Sequence, residues 1–144
     1  MTKTAAELDF EQIKIGQTVE FAEKITQTRL DDFAKLSGDY NPLHMDANYA
    51  TSTRFAKQVC HGMLLASFFS KLVGMYMPGK NALYFSQTLS FQAPCYSGDE
   101  VTIRGEVTAK SDSTRMITIK TLIHNNKGMC LVDGVAKVLV RQDK

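Results

Sequence analysis

Asp39 and His44 stand five positions apart in the run Leu36-Ser37-Gly38-Asp39-Tyr40-Asn41-Pro42-Leu43-His44-Met45-Asp46. A carboxylate and an imidazole that reach one small molecule are the parts of a general acid–base pair. In an unbroken helix of about 3.6 residues per turn, a step of five rotates the two side chains well apart. Pro42 argues against such a helix, because it disfavours the α conformation at Asn41 and removes a backbone donor. A helix ending near Gly38 would instead open into a turn that folds both side chains toward one point. The same Ser-Gly-Asp-Tyr-Asn-Pro string is also ordinary turn chemistry, and taken by itself it reads first as a structural turn.

A second constellation follows at Val59-Cys60-His61-Gly62, immediately before a long apolar run. The first N–H groups of a helix lack intrahelical acceptors, and the macrodipole adds partial positive charge there. Gly62 has no side chain, so a ligand oxygen can approach its backbone closely, as an oxyanion site requires. A glycine that merely eases the turn into the helix is the competing account. His61, beside Cys60 and Val59, fits an orienting hydrogen bond better than direct chemistry, and His124 fits a surface or packing role. Ser67 is a hydroxyl inside an otherwise apolar helix and must find a partner. The carbonyl of the preceding turn is the default, with the substrate or the acid–base pair as the functional option.

Other chemistries are poorly served. His44 and Asp46 are close, but no third and fourth ligand stands at a recognisable spacing, so no metal is expected. Cys60 precedes His61, yet sequence neighbours rarely make a working dyad, and nothing suggests an acidified thiol. There is no glycine-rich dinucleotide fingerprint and no phosphate loop. Three cysteines (Cys60, Cys95, Cys130) with no CxxC pair fit reduced thiols better than a disulfide framework.

The elements that must position these residues come from the pattern of the chain. Its 144 residues are 44% hydrophobic and 22% charged with a net charge of +2, the profile of one globular domain. No basic run stands out, so nucleic acid is not the expected partner. The N-terminus lacks the apolar core of a signal peptide, and the longest apolar stretch, Met63 to Met77, is too short to span a membrane. A soluble, cytoplasmic protein is expected.

Val19, Phe21 and Ile25 on odd positions suit an early strand over 18–26. Thr28 with Asp31 resembles an N-cap, and Leu30, Phe33, Ala34 and Leu36 form a helical face up to Gly38. A second short helix is expected over Asp46 to Phe55, with Tyr49, Ala50 and Phe55 inward. The run Met63-Leu64-Leu65-Ala66-Ser67-Phe68-Phe69-Ser70-Lys71-Leu72-Val73 is apolar on nearly all sides, as a helix wrapped by other structure would be. Pro78-Gly79 closes it. Segments near 83–92, 99–109, 115–124 and 129–140 are rich in strand formers and separated by turn-like clusters. Four strands after one buried helix predict an α+β fold, with an antiparallel sheet wrapped around that helix.

The two-part motif, Ser37-Gly38-Asp39-Tyr40-Asn41-Pro42-Leu43-His44-Met45-Asp46 followed by His61-Gly62-Met63-Leu64-Leu65-Ala66-Ser67, strongly resembles the hydratase motif of R-specific enoyl-CoA hydratases. These are MaoC-like proteins with the hot-dog fold. The similarity covers nearly the whole chain, including Ser86-Gln87-Thr88-Leu89-Ser90-Phe91 and Pro94-Cys95-Tyr96-Ser97-Gly98-Asp99. The resemblance implies a single domain over residues 1–144, a curved antiparallel sheet around a long central helix, and a homodimer whose sheets join edge to edge. It implies reversible addition of water to a trans-2-enoyl-CoA, giving an (R)-3-hydroxyacyl-CoA, with no cofactor beyond the coenzyme A of the substrate. By resemblance Asp39 and His44 match the catalytic pair, Gly62 the backbone donor to the thioester oxygen, and Ser67 and Asn41 substrate-site residues. Small members of the group commonly supply monomers for polyhydroxyalkanoate synthesis.

Three other functions fit parts of the pattern. A 3-hydroxyacyl-[acyl-carrier-protein] dehydratase would share the acid–base pair and differ in the surface that receives the carrier. A thioesterase would release free thiol. A non-catalytic acyl-CoA-binding module would bind without turnover, and the intact Asp39, His44 and Gly62 set speaks against it.

Overall fold

Strand-forming residues at alternating positions need a covered face, and in this protein one helix supplies the cover. The computed structural model describes residues 3–143. The chain runs through β1 (Thr18–Lys24), α1 (Gln27–Ser37), the short α2 (Pro42–Met45) and α3 (Ala47–Thr51), and α4 (Gly62–Lys71). A π-helical turn over Leu72–Tyr76 extends α4. Then come β2 (Ala82–Gln87), β3 (Ser90–Phe91), β4 (Glu100–Ser111), β5 (Met116–Asn125) and β6 (Cys130–Val140). No helix among the described residues is long and apolar enough to cross a membrane.

The strands form one antiparallel sheet in the order β1-β4-β5-β6-β2, with β3 also pairing with β6. Along β4, Val101, Ile103, Gly105 and Val107 are buried while their neighbours are partly exposed, as period-two alternation requires. The strand expected near 83–92 is divided into β2 and β3. The break is tied down at Thr88, whose N–H donates to Val135 O and whose Oγ1 accepts from Val135 N, both at 2.9 Å. Gly134 permits this approach, because a Cβ there would lie 2.0 Å from Thr88 O.

Leu64, Leu65, Phe68 and Phe69 of α4, with Leu72, pack onto Ile103, Ile123, Leu131 and Val132 of the sheet. Full burial of each such side chain contributes about 1.5–3 kcal/mol. β4 comes close at Gly105, where a Cβ would stand 2.9 Å from Leu72 Cδ2. The helix is not wrapped on all sides, however. Met63, Ser67, Ser70 and Lys71 are exposed, so one face of α4 stays open in the single chain.

The other helices differ from expectation in detail. The N-cap of α1 is Thr26, two residues before Thr28, and its Oγ1 accepts from Arg29 N at 3.2 Å. Leu30 and Ala34 are buried, but Leu36 is 85% exposed, pointing off the helix's buried stripe. The helix expected over Asp46 to Phe55 is shorter, α3 being capped by Asp46 and ending at Thr51, while a separate turn of helix, α2, opens at Pro42 just before it. Ala50 is buried and Phe55 half-buried, whereas Tyr49 is exposed.

β1 and α1 are locked to α4 by Glu23, which is buried between Arg29 (2.7 Å) and Lys71. Burial raises the carboxyl's pKa, but the hydrogen bonds from Lys71 and Arg29 outweigh it and hold the group below its ordinary value.

Candidate active site

Local backbone chemistry aims Asp39 and His44. Gly38 ends α1 in the left-handed conformation (φ 81°), which a residue with a Cβ adopts only under strain. Asp39 N–H then donates to Ser37 Oγ (3.1 Å), and Asp39 Oδ1 accepts from Asn41 N–H (3.1 Å). Asn41 caps α2, its Oδ1 accepting from Leu43 N–H at 3.0 Å. Pro42 occupies the first helical position, where the missing N–H costs nothing. The turn delivers His44 back toward Asp39.

His44 is fixed by the segment that precedes α4. Its Nδ1 donates to Val59 O at 2.7 Å, since a carbonyl only accepts, and in the neutral ring this leaves the lone pair on Nε2. Gln58 Nε2 donates to His44 O at 2.5 Å and Val59 N–H to Leu43 O at 3.2 Å, tying the two segments together.

His61 joins the pair. It is 2% exposed, and its Nε2 donates to the backbone carbonyl of Asp39 at 3.0 Å. Its ring stacks on that of His44 with centroids 4.2 Å apart and leans on Phe33 at 5.0 Å. Nδ1 of His61 is buried with no hydrogen-bond partner among the described residues. Burial lowers the His61 pKa and the neighbouring His44 lowers it further, while the Asp39 carbonyl opposes both, so the ring favours its neutral form.

One ligating atom from each of Asp39, His44 and His61 lies within 4.8 Å of the others. Two groups at that separation or less can both hydrogen-bond one water at about 2.8 Å each. Sequence spacing offered no third metal donor, and the fold supplies one in His61. Nearly parallel, stacked rings, however, cannot both hold one cation in their ring planes, as a good nitrogen ligand must.

The three residues meet at a cavity of about 530 Å³, walled also by Arg54, Phe55, Gly62, Phe91 and Leu131. Gly62 is the first residue of α4, so its N–H has no intrahelical acceptor. The ring of Phe91 lies over it, and a Cβ on Gly62 would stand 2.9 Å from Phe91 Cδ1. Cys60 and Cys95 lie deeper in the wall. A hydrogen bond with Cys95 in which the Cys60 thiol is the donor, reinforced by burial, holds the Cys60 pKa far above its ordinary range and disfavours the nucleophilic thiolate.

Two sequence candidates are placed elsewhere. Ser67 is exposed and donates to Leu64 O at 2.6 Å, the backbone bond of the preceding turn. It lines a separate apolar groove of about 440 Å³ between the open face of α4 and Tyr84, Gln87 and Leu89. Asn41 serves the turn through its cap and does not reach the cavity wall. Conversely, nothing in the sequence marked Arg54, Phe91 or Leu131 as site residues, since the fold alone brings them to the cavity that Asp39 lines. His124 is half-buried in β5 opposite Thr102 and Cys130.

Fold and site together place a carboxylate and two imidazoles at the N-terminal end of a helix that packs on an antiparallel sheet. The chain belongs to the MaoC-like domain family, which it matches over residues 9–127. It is 41% identical over 128 residues to the (R)-specific enoyl-CoA hydratase of Aeromonas caviae, covering 89% of this chain and 96% of that protein. The solved structure of the (R)-hydratase from A. caviae involved in PHA biosynthesis matches with a TM-score of 0.89 and 40% identity, covering 91% of this chain and 99% of that one. The unliganded R-hydratase PhaJ1 from Pseudomonas aeruginosa matches with a TM-score of 0.92 and 32% identity, covering 96% and 89%. The architecture is the hot-dog fold.

Proposed function

We propose that this chain is an (R)-specific enoyl-CoA hydratase, a hydro-lyase that adds water reversibly to trans-2-enoyl-CoA thioesters. The observation that carries the reading is the meeting of Asp39, His44 and the start of α4 in one cavity. Hydration places OH on C3 and H on C2 of the substrate. Asp39 and His44 hold the water between them, and His44 Nε2 has the lone pair needed to take a proton from it. As the water oxygen bonds to C3, the C2–C3 π electrons move toward the thioester carbonyl, whose oxygen becomes enolate-like. Gly62 N–H, reinforced by the helix dipole, stabilises that charge. The acid–base pair then returns a proton to C2. No cofactor is needed for these steps.

A homodimer is part of the same proposal. β2 is an edge strand with no charged residue (Ala82-Leu83-Tyr84-Phe85-Ser86-Gln87), and Leu83 and Phe85 are exposed. Such an edge invites pairing, and pairing with a second copy across a two-fold axis closes it. Supply of (R)-3-hydroxyacyl-CoA for polyhydroxyalkanoate formation is the role that the A. caviae relative suggests.

The test is the ultraviolet absorbance of crotonyl-CoA with purified protein, with Asp39→Asn run alongside and the product's chirality measured. Asn can still accept from Asn41 N–H but lacks the charge and basicity, so turnover is expected to fall by at least about a hundredfold while the fold survives. Near-normal turnover in the variant, an S product, or release of free thiol would overturn the assignment. Turnover of the crotonyl thioester of acyl carrier protein alone would favour the carrier-protein dehydratase.

A further inference from the structure

The protein contains five arginines, and four of them (Arg29, Arg104, Arg115 and Arg141) sit in ion pairs with carboxylates. Arg54 is the exception among the described residues. It is exposed, yet it lines the catalytic cavity, which places it at the mouth. Its guanidinium lies over the ring of Phe55, 4.9 Å from the centroid, and Phe55 lines the same cavity. Three residues on, Lys57 holds its ammonium 4.8 Å from the ring centre of Tyr96. Tyr96 bridges to Val59, another cavity residue. Lys57 likewise has no carboxylate partner among the described residues.

We infer that Arg54, assisted by Lys57, is a phosphate-binding site for the nucleotide end of coenzyme A. This inference rests on the hydratase reading for the identity of the thioester. A cation stacked on an aromatic ring has its orientation set while its in-plane N–H donors remain free. Planar guanidinium donors match phosphate oxygens well, and charge-assisted bonds of this kind are among the stronger ones. The substrate is built to meet such a group. Its reacting carbons enter the cavity, the uncharged pantetheine arm leads outward, and the diphosphate and 3′-phosphate emerge where solvent begins. An arginine at that mouth without an internal carboxylate has a counter-charge only when the ligand arrives.

The experiment compares wild type, Arg54→Ala and Arg54→Lys in two assays. In the first, calorimetry measures binding of free coenzyme A and of pantetheine, which lacks the nucleotide. In the second, KM and kcat are measured for crotonyl-CoA, crotonyl-pantetheine and the crotonyl thioester of acyl carrier protein. Arg54→Ala is expected to weaken coenzyme A binding and raise KM for crotonyl-CoA roughly tenfold or more, with kcat nearly constant. Arg54→Lys should recover part of the loss, and the KM for crotonyl-pantetheine should not move. The gap between wild type and variant should narrow as salt is added. Equal effects on the coenzyme A and pantetheine thioesters, no effect on coenzyme A, or a loss confined to the carrier-protein thioester would each overturn the site. If wild type hydrates none of the thioesters, the hydratase reading fails, and the calorimetric comparison still decides Arg54.

Discussion

Replacing Gly62 with alanine should separate turnover from stability. The added Cβ would lie 2.9 Å from both Cδ1 and Cε1 of Phe91, whereas relaxed carbon contacts stand at about 3.5–4.0 Å. The ring must therefore retreat by about 0.6–1 Å. It has room to do so, because Phe91 is 52% exposed and belongs to a strand of two residues. Alanine also favours the helix over glycine, by less at this first position than the about 0.5–1 kcal/mol of a helix interior, which offsets part of the contact strain. The melting temperature is thus expected to stay within about 4 °C of wild type. Catalysis has no such compensation. The new methyl and the displaced ring both occupy the wall where a thioester oxygen must come within about 2.7–3.1 Å of the N–H. Holding that oxygen an ångström further out loses the oxyanion donor, for a drop in kcat on the order of a hundredfold. Crotonyl-CoA hydration and a thermal melt on the same preparation give both readings. Unchanged kcat would refute the role of Gly62, and a large fall in melting temperature would show that the clash is structural.

Further outcomes concern His61 and the sheet edge. The His61 pKa lies below its ordinary 6.5, so below that pH the unfolded chain takes up a proton that the folded chain refuses. Stability should therefore decline as pH falls through 6.5 toward the folded pKa, and chemical denaturation of His61→Asn should show less of that decline. An identical pH dependence in the two proteins would discount the buried neutral ring. Phe85, 70% exposed on β2, should tolerate lysine within about 0.5 kcal/mol in the single chain, yet Phe85→Lys should shift sedimentation from dimer toward monomer. A dimer of unchanged strength would place the interface elsewhere.

Much of the site was legible where the deciding contacts are local. Asp39 and His44 converge because Gly38, Asn41 and Pro42 each constrain backbone within one turn of them, and those constraints are written in residue type. Gly62 was legible as a helix start for the same reason. Burial of single faces was harder to read. Leu36 shares its type with the buried Leu30 but sits off the stripe, and the α1 cap fell on Thr26 because two threonines offered the same chemistry. The open face of α4 is marked in the sequence by Ser67, Ser70 and Lys71 at helical spacing, but the apolar residues crowded around them outweighed that signal.

By itself, then, the sequence determined the turn, the helix start, the alternating strands and hence the α+β class, since each depends on neighbours a few residues apart. Tertiary structure decided the rest. His61 reaches Asp39 and His44 from 22 and 17 positions away, and Phe91 and Leu131 arrive at the cavity from separate strands. It also sent Ser67 to a different groove, since the side of a helix that meets a cavity depends on what packs against its other sides. Convergence of distant segments is set by sheet order and by how the sheet closes on α4, and no local spacing encodes either.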